Sequence, residues 1–319
     1  MLDDDEDHDD RAHIRAAHAA LVAEGALEPL SRDEAETRRW LDCELASLVE
    51  NRFFEPIDPL AMTSATRSRW EPTATSDEPL SSPHGQDWYR IPYWIKDRGE
   101  RVGTMGLATT YMGIGMVTVS SLYVLPKRRG RGLAGGALGR AQAAVRAHGG
   151  RCLRVPAYWS WQPAVRFYLG LGMWVGNWKH SLVFAWHEQL PAHRVEVEDD
   201  RATFGVDRGG RVEPLIVAAR DGARLDWTEL PRFAELRDEE PQVYHLARST
   251  FALQLAVNGF PLVRSAEAWE RRHDSADAGQ PEGLAYKIEL FEAWDRRSGF
   301  TLRTPRIPGL AYREWEDID

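Results

Sequence analysis

The chain has 319 residues, enough for two ordinary domains, and its 43% hydrophobic and 28% charged residues are the balance of a globular protein exposed to water. A net charge of -9 speaks against a nucleic-acid partner, because affinity for phosphate comes from clustered Lys and Arg. The cysteines Cys43 and Cys152 form no CxxC, which excludes a disulfide framework and a zinc site and leads us to expect a reducing cytoplasm. No apolar stretch reaches the roughly 20 residues of a membrane span, so no membrane partner is expected. The acidic run Met1 to Asp7 is the opposite of a signal peptide.

Residues 1–10 read as an acidic tail, and apolar residues Ile14, Ala17, Leu21 and Val22 then recur at helical spacing between Arg11 and Glu24. A second helix is expected to start near Ser31, where Ser31 and Glu34 fit a capping box. Glu55 to Pro83 is rich in Pro, Ser and Thr and reads as an irregular connection, closing an N-terminal segment of residues 11–87. Strands are expected at Trp88 to Lys96, Val102 to Tyr111 and Met116 to Val124, with a hairpin turn at Asp97-Arg98-Gly99-Glu100 and a second turn at Gly113-Ile114-Gly115. A helix from Leu133 to Ala147, stopped by Gly149-Gly150, precedes a strand at Cys152 to Ala157, a helix at Pro163 to Leu171 and strands within Met173 to Trp186. This alternation predicts a mixed α/β domain over 88–191 with ligands at strand ends. Past it, residues 192–319 read as a C-terminal α+β domain of unknown role. Hairpins fill Val195 to Leu225, and a mainly helical extension follows at Pro241 to Asn258, Ala266 to His273 and Leu284 to Arg296.

The segment that carries chemistry is Leu122-Tyr123-Val124-Leu125-Pro126-Lys127-Arg128-Arg129-Gly130-Arg131-Gly132-Leu133-Ala134. A strand ends at a proline, basic residues follow, glycines turn the chain and a helix begins. Glycines let backbone N–H groups approach a diphosphate, and the helix N-terminus adds partial positive charge. The basic run before the glycines and the lack of a suitably placed acidic residue after them count against a dinucleotide fingerprint. No Gly-Lys-Ser or Gly-Lys-Thr completes a P-loop.

This stretch resembles motif A of the GNAT family of N-acetyltransferases, Arg/Gln-x-x-Gly-x-Gly/Ala, through Arg129, Gly132 and Ala134. A second family motif, Asn-x-x-Ala-x-x-Phe-Tyr-x-x-x-Gly-Phe, is similar to the run from Trp161 to Met173. Ala164, Phe167, Tyr168 and Gly172 match it in order and spacing. Trp161 stands where the family often has Asn, and Met173 where it has Phe. The resemblance covers about 88–186 and implies a GNAT-like mixed central sheet with flanking helices, split into a V that admits an acyl-CoA.

The resemblance further implies an acyl-CoA-dependent N-acyltransferase, with acetyl-CoA the expected co-substrate and no metal. Direct attack by a primary amine of a small molecule, peptide or protein is implied. Leu122, Tyr123, Val124 and Leu125 would pair with the pantetheine, and Arg129, Gly130, Arg131, Gly132, Leu133 and Ala134 would hold the diphosphate. Tyr168 would protonate the departing thiolate. The base is open between His180, Glu188, Tyr123 and a water chain, since Met116 to Leu125 carries no carboxylate. Trp159, Ser160 and Trp161 lie where an acceptor pocket or plain core packing would fall. Two alternatives stand beside this: a CoA-binding or interaction module without catalysis, and a toxin-like acetyltransferase acting on charged tRNA, which the acidic balance disfavours. The oligomeric state is left open.

Overall fold

The computed structural model describes residues 7–25, 27–31, 33–50, 80–81, 87–88, 90–109, 115–157, 161–176, 182–222 and 224–260. They fall into two compact units that divide between Val155 and Pro156.

In the first unit, helix α1 (Asp7–Ala23) buries Ile14, Ala17 and Leu21 of the expected stripe, while Val22, one residue round the helix from Leu21, is exposed. Strand β1 (Leu27–Pro29) follows, then α2 (Glu34–Glu50). The capping box is not the one expected. Asp33 caps α2, its Oδ1 accepting the Glu36 N–H at 2.9 Å, and the Glu36 carboxylate reaches back to the Ser31 hydroxyl at 2.7 Å. An Asp one residue before the helix competes well with a Ser three before it, since both supply a short side-chain acceptor.

A small ribbon, β2 (Leu80–Ser81) with β3 (Asp87–Trp88), precedes the antiparallel meander β4 (Arg90–Asp97), β5 (Glu100–Thr109) and β6 (Met116–Val124). The hairpin turn at Asp97–Glu100 is as expected. Helix α3 (Leu133–Ala147) buries Ala137, Leu138, Ala141, Ala144 and Val145 and leads to β7 (Cys152–Ala157), which starts in this unit and runs across the division. Strand order is β1-β4-β5-β6-β7, antiparallel until β7, which lies parallel to β6. This is the mixed sheet with flanking helices that the motifs imply. Arg101 ties β1 and α2 to the meander through Glu28 and Glu36, with Lys96 3.2 Å from Glu28.

In the second unit, α4 (Gln162–Gly170) is followed by the antiparallel pair β8 (Trp174–Gly176) and β9 (Leu182–His187). A four-stranded antiparallel sheet then forms from β10 (His193–Val197), β11 (Arg201–Arg208), β12 (Arg211–Asp221) and β13 (Arg224–Glu229). Helix α5 (Pro231–Glu239) is one that periodicity does not announce; Pro231 in its first turn is the only local signal. Helix α6 (Pro241–Val257) closes the unit. It grips β8 by hydroxyls: Thr250 Oγ1 accepts the Val175 N–H at 2.9 Å, and Ser249 donates to the Val175 carbonyl at 2.7 Å. The rings of Trp174, His193, Phe204 and Phe251 make the core. The connection at 55–83 is described only at Leu80 and Ser81. Gly113, Ile114 and the helices expected at 266–273 and 284–296 lie outside the described residues. Among those described, no helix is long and apolar enough to cross a membrane.

Candidate functional site

The first unit holds the glycine turn and the strand that leads into it. After β6 the chain makes one 3-10 turn, Pro126–Arg128, and enters α3 through Gly132. Gly130 and Gly132 both sit at φ 74°, and a Cβ on either would meet nothing within 4 Å. Glycine is needed there for backbone conformation, and the space above each is open to a ligand. No side chain caps α3, so its first-turn N–H groups lack intrahelical partners and lie beside Arg129, Gly130, Arg131 and Gly132, all exposed. Such an arrangement suits an anion.

The basic run is not uniform. Arg128 is paired with Glu100, and Arg131 lies 4.0 Å from Asp97, both acids belonging to the β4–β5 hairpin turn. Arg129 folds back instead, its Nε donating to the Val124 carbonyl at 2.8 Å while its guanidinium lies 5.2 Å from the Tyr123 ring. Lys127 is exposed.

Among the described residues, β7 runs beside only the first part of one edge of β6. Leu125 N–H donates to Val102 O on the β5 side at 3.0 Å, so the backbone groups of Val124 point to the opposite side. There β7 pairs with β6 only at Met116–Thr118, against Cys152–Arg154. From Val119 to Val124, no strand among the described residues pairs with that edge. The same stretch carries a bulge. Thr104 faces Tyr123 and Gly106 faces Ser120, which leaves Ser121 and Leu122 opposite Met105 alone. Ser121 takes φ 52°, a rare value for a residue with a Cβ, and Thr104 Oγ1 holds its carbonyl at 2.9 Å. Sequence periodicity does not show this bulge; the adjacent Ser120-Ser121 within a strand otherwise of β-branched and large apolar residues is the one hint.

The second unit holds Tyr168, on α4, which is buried with its ring 5.1 Å from Phe184 and 5.2 Å from Phe167. Burial pushes its phenol above the ordinary range, so it stays protonated across physiological pH. Trp161 occupies the N-cap position of α4 without a side-chain cap and is half-buried. Of the candidate bases, Glu188 is exposed in the turn after β9, and Tyr123 in the first unit is buried beneath Arg129. His180, with Trp159 and Ser160, lies outside the described residues. His187 accepts the Gln189 N–H on Nδ1 at 3.1 Å. Among the described residues, no group of three or more His, Cys, Asp or Glu is placed to hold a metal ion.

Residues 60–173 match the model of the acetyltransferase (GNAT) family, and the chain therefore carries a domain of that family over this span. The PaiA N-acetyltransferase of Thermoplasma acidophilum in complex with coenzyme A is similar at 12% identity, covering 50% of this chain and 97% of its own, with a TM-score of 0.38. A GNAT-family acetyltransferase of Staphylococcus aureus is 12% identical over 51% of this chain and 100% of its own, with a TM-score of 0.34. One from Elizabethkingia anophelis with acetyl-CoA bound is 13% identical over 31% of this chain and 76% of its own, with a TM-score of 0.27. At identities and TM-scores this low the likenesses carry no function to this chain. No curated protein matches it.

Proposed function

We propose that the chain is an acyl-CoA-dependent N-acyltransferase, using acetyl-CoA first of all and acting on a primary amine. The observation that carries this reading is the edge of β6 leading straight into the glycine turn. The edge of β6 that β7 leaves after Thr118 suits the amides of a pantetheine arm, and the uncapped N-terminus of α3 at Gly132 suits a diphosphate. Gly130, Arg131, Leu133 and Ala134 contribute backbone N–H groups and positive charge. Arg129 acts mainly by fixing the Val124 carbonyl and so the course of the turn. The acyltransferase domain is taken as residues 88–191, followed by a separate C-terminal domain at 192–319.

In this reading the bound amine loses a proton and its nitrogen bonds the acyl carbon. The carbon–sulfur bond breaks, and the departing thiolate takes up a proton. The fold supplies proximity and orientation. Tyr168 is the donor to the departing sulfur: a phenol is protonated at neutral pH, and the burial that raises its pKa makes it a stronger holder of that proton until the thiolate forms. The base is one of His180, Glu188, Tyr123 or a water chain. The acceptor is a small molecule, peptide or protein amine. The test is amine-dependent release of CoA thiol from acetyl-CoA by the full chain. Release that rises with amine supports the reading; CoA binding with no release from any amine leaves a non-catalytic binding module and overturns it.

A further inference from the structure

We infer that Asp97 and Glu100, the two acids of the β4–β5 hairpin turn, set the affinity of the anion site by holding two of its arginines, as built-in competitors of the ligand's phosphates. The inference rests on the acyltransferase reading above, in which the glycine turn holds the CoA diphosphate.

The sequence places a like-charged pair where a hairpin ordinarily avoids one. Asp97 and Glu100 are directly opposed and close the turn, and its central residues Arg98 and Gly99 take φ 50° and 84°. Positive φ at both central positions belongs to the two-residue turn whose twist matches its strands. Opposed residues share a face of the ribbon, so the two carboxylates repel. The turn needs its glycine but neither acid, and a local rule broken in this way points to a function.

The repulsion is offset by the basic run of the glycine turn. Glu100 pairs with Arg128, and Asp97 lies 4.0 Å from Arg131. Both arginines stand in the short stretch between Pro126 and α3, beside Gly130 and Gly132, where a Cβ would meet nothing within 4 Å. Of the other two cations of the run, Arg129 is turned back onto the Val124 carbonyl and the Tyr123 ring, and Lys127 is exposed. Half of the positive charge beside the anion site is therefore matched by carboxylates of the neighbouring hairpin.

A diphosphate entering this site meets those carboxylates whichever way the arginines move. An arginine that turns to the phosphate leaves its carboxylate facing the other acid. An arginine that stays with its acid brings no net charge to the ligand. Exposure limits the size of the effect. The side chains of Arg128 and Arg131 are 35% and 55% exposed, so solvent and salt screen each pair, and each acid changes affinity a few-fold and not by orders of magnitude.

The experiment is calorimetric titration of the full chain with CoA at low ionic strength, circular dichroism confirming that each variant is folded. Glu100→Gln and Asp97→Asn should each bind CoA about threefold more tightly than the wild type, and the double variant about tenfold. Added salt should narrow these differences, because they arise from charge. Arg128→Gln should weaken binding, and Glu100→Gln on that background should recover part of the loss, since the pair is then removed together. Unchanged or weaker binding by both acid variants would overturn the inference, because the carboxylates would then be idle or would be positioning the arginines for the ligand. A gain that salt leaves untouched would overturn it too. No CoA binding by the wild type or by any variant would overturn the acyltransferase reading as well, so the two failures are distinguishable.

Discussion

Gly132 and Tyr168 carry the account at the scale of single residues. The space above Gly132 is open, so Gly132→Glu acts through its positive φ and through a negative charge at the anion site rather than through a clash in the protein. CoA affinity should fall beyond calorimetric detection while the far-UV circular dichroism stays that of the wild type. Tyr168→Phe removes only a hydroxyl from a buried ring. It should leave the dissociation constant of CoA unchanged and lower kcat by about a hundredfold or more, as measured by thiol release. Motif spacing singles out both residues in the sequence. That Arg90 and Arg154 share a face of the sheet is not legible in that way, because it depends on the register of four strands and not on any one of them.

Elements explain how those residues are held. Strand β5 approaches β6 so closely that a Cβ at Gly103 would meet the Tyr123 carbonyl at 2.2 Å. Gly103→Ala should therefore push the strands apart, cost about 1–3 kcal/mol in urea unfolding and weaken CoA binding through the shifted edge of β6. Asp33→Ala removes the cap of α2, away from the turn, and should cost about 1 kcal/mol while leaving CoA affinity alone. Element boundaries are largely legible. The runs Met116–Val124, Leu133–Ala147 and Cys152–Ala157 stand where β-branched periodicity, glycine stops and helical spacing put them. The bulge at Ser121–Leu122 and the parting of β6 from β7 are not legible from periodicity, because both depend on how strands pair and not on what either strand contains alone. The cap of α2 escapes the sequence for a related reason: two short polar side chains compete, and only the packed helix decides.

For the whole molecule, acid is a stress that buried and paired groups make costly. Burial among Trp174 and Phe204 lowers the His193 pKa from its ordinary 6.5 to about 4. The unfolded chain then binds more protons than the folded one between those values, so stability is complete above about pH 6.5 and falls as pH drops toward 4, by on the order of 3 kcal/mol. Glu36 and Glu28 are held below the usual carboxylate range, by the Ser31 hydroxyl and by Arg101 respectively. Their contribution is present above pH about 4.5 and is lost as pH falls through their lowered values. Urea unfolding at a series of pH values should show both losses, and His193→Leu should flatten the upper one.

The acyltransferase reading as a whole rests on the edge of β6 and the glycine turn taking up one extended ligand. Calorimetric titration of the full chain with acetyl-CoA, with Gly132→Glu alongside, tests that most directly. The account predicts micromolar binding by the wild type and none by the variant. No binding by the wild type, or equal binding by both, would contradict it.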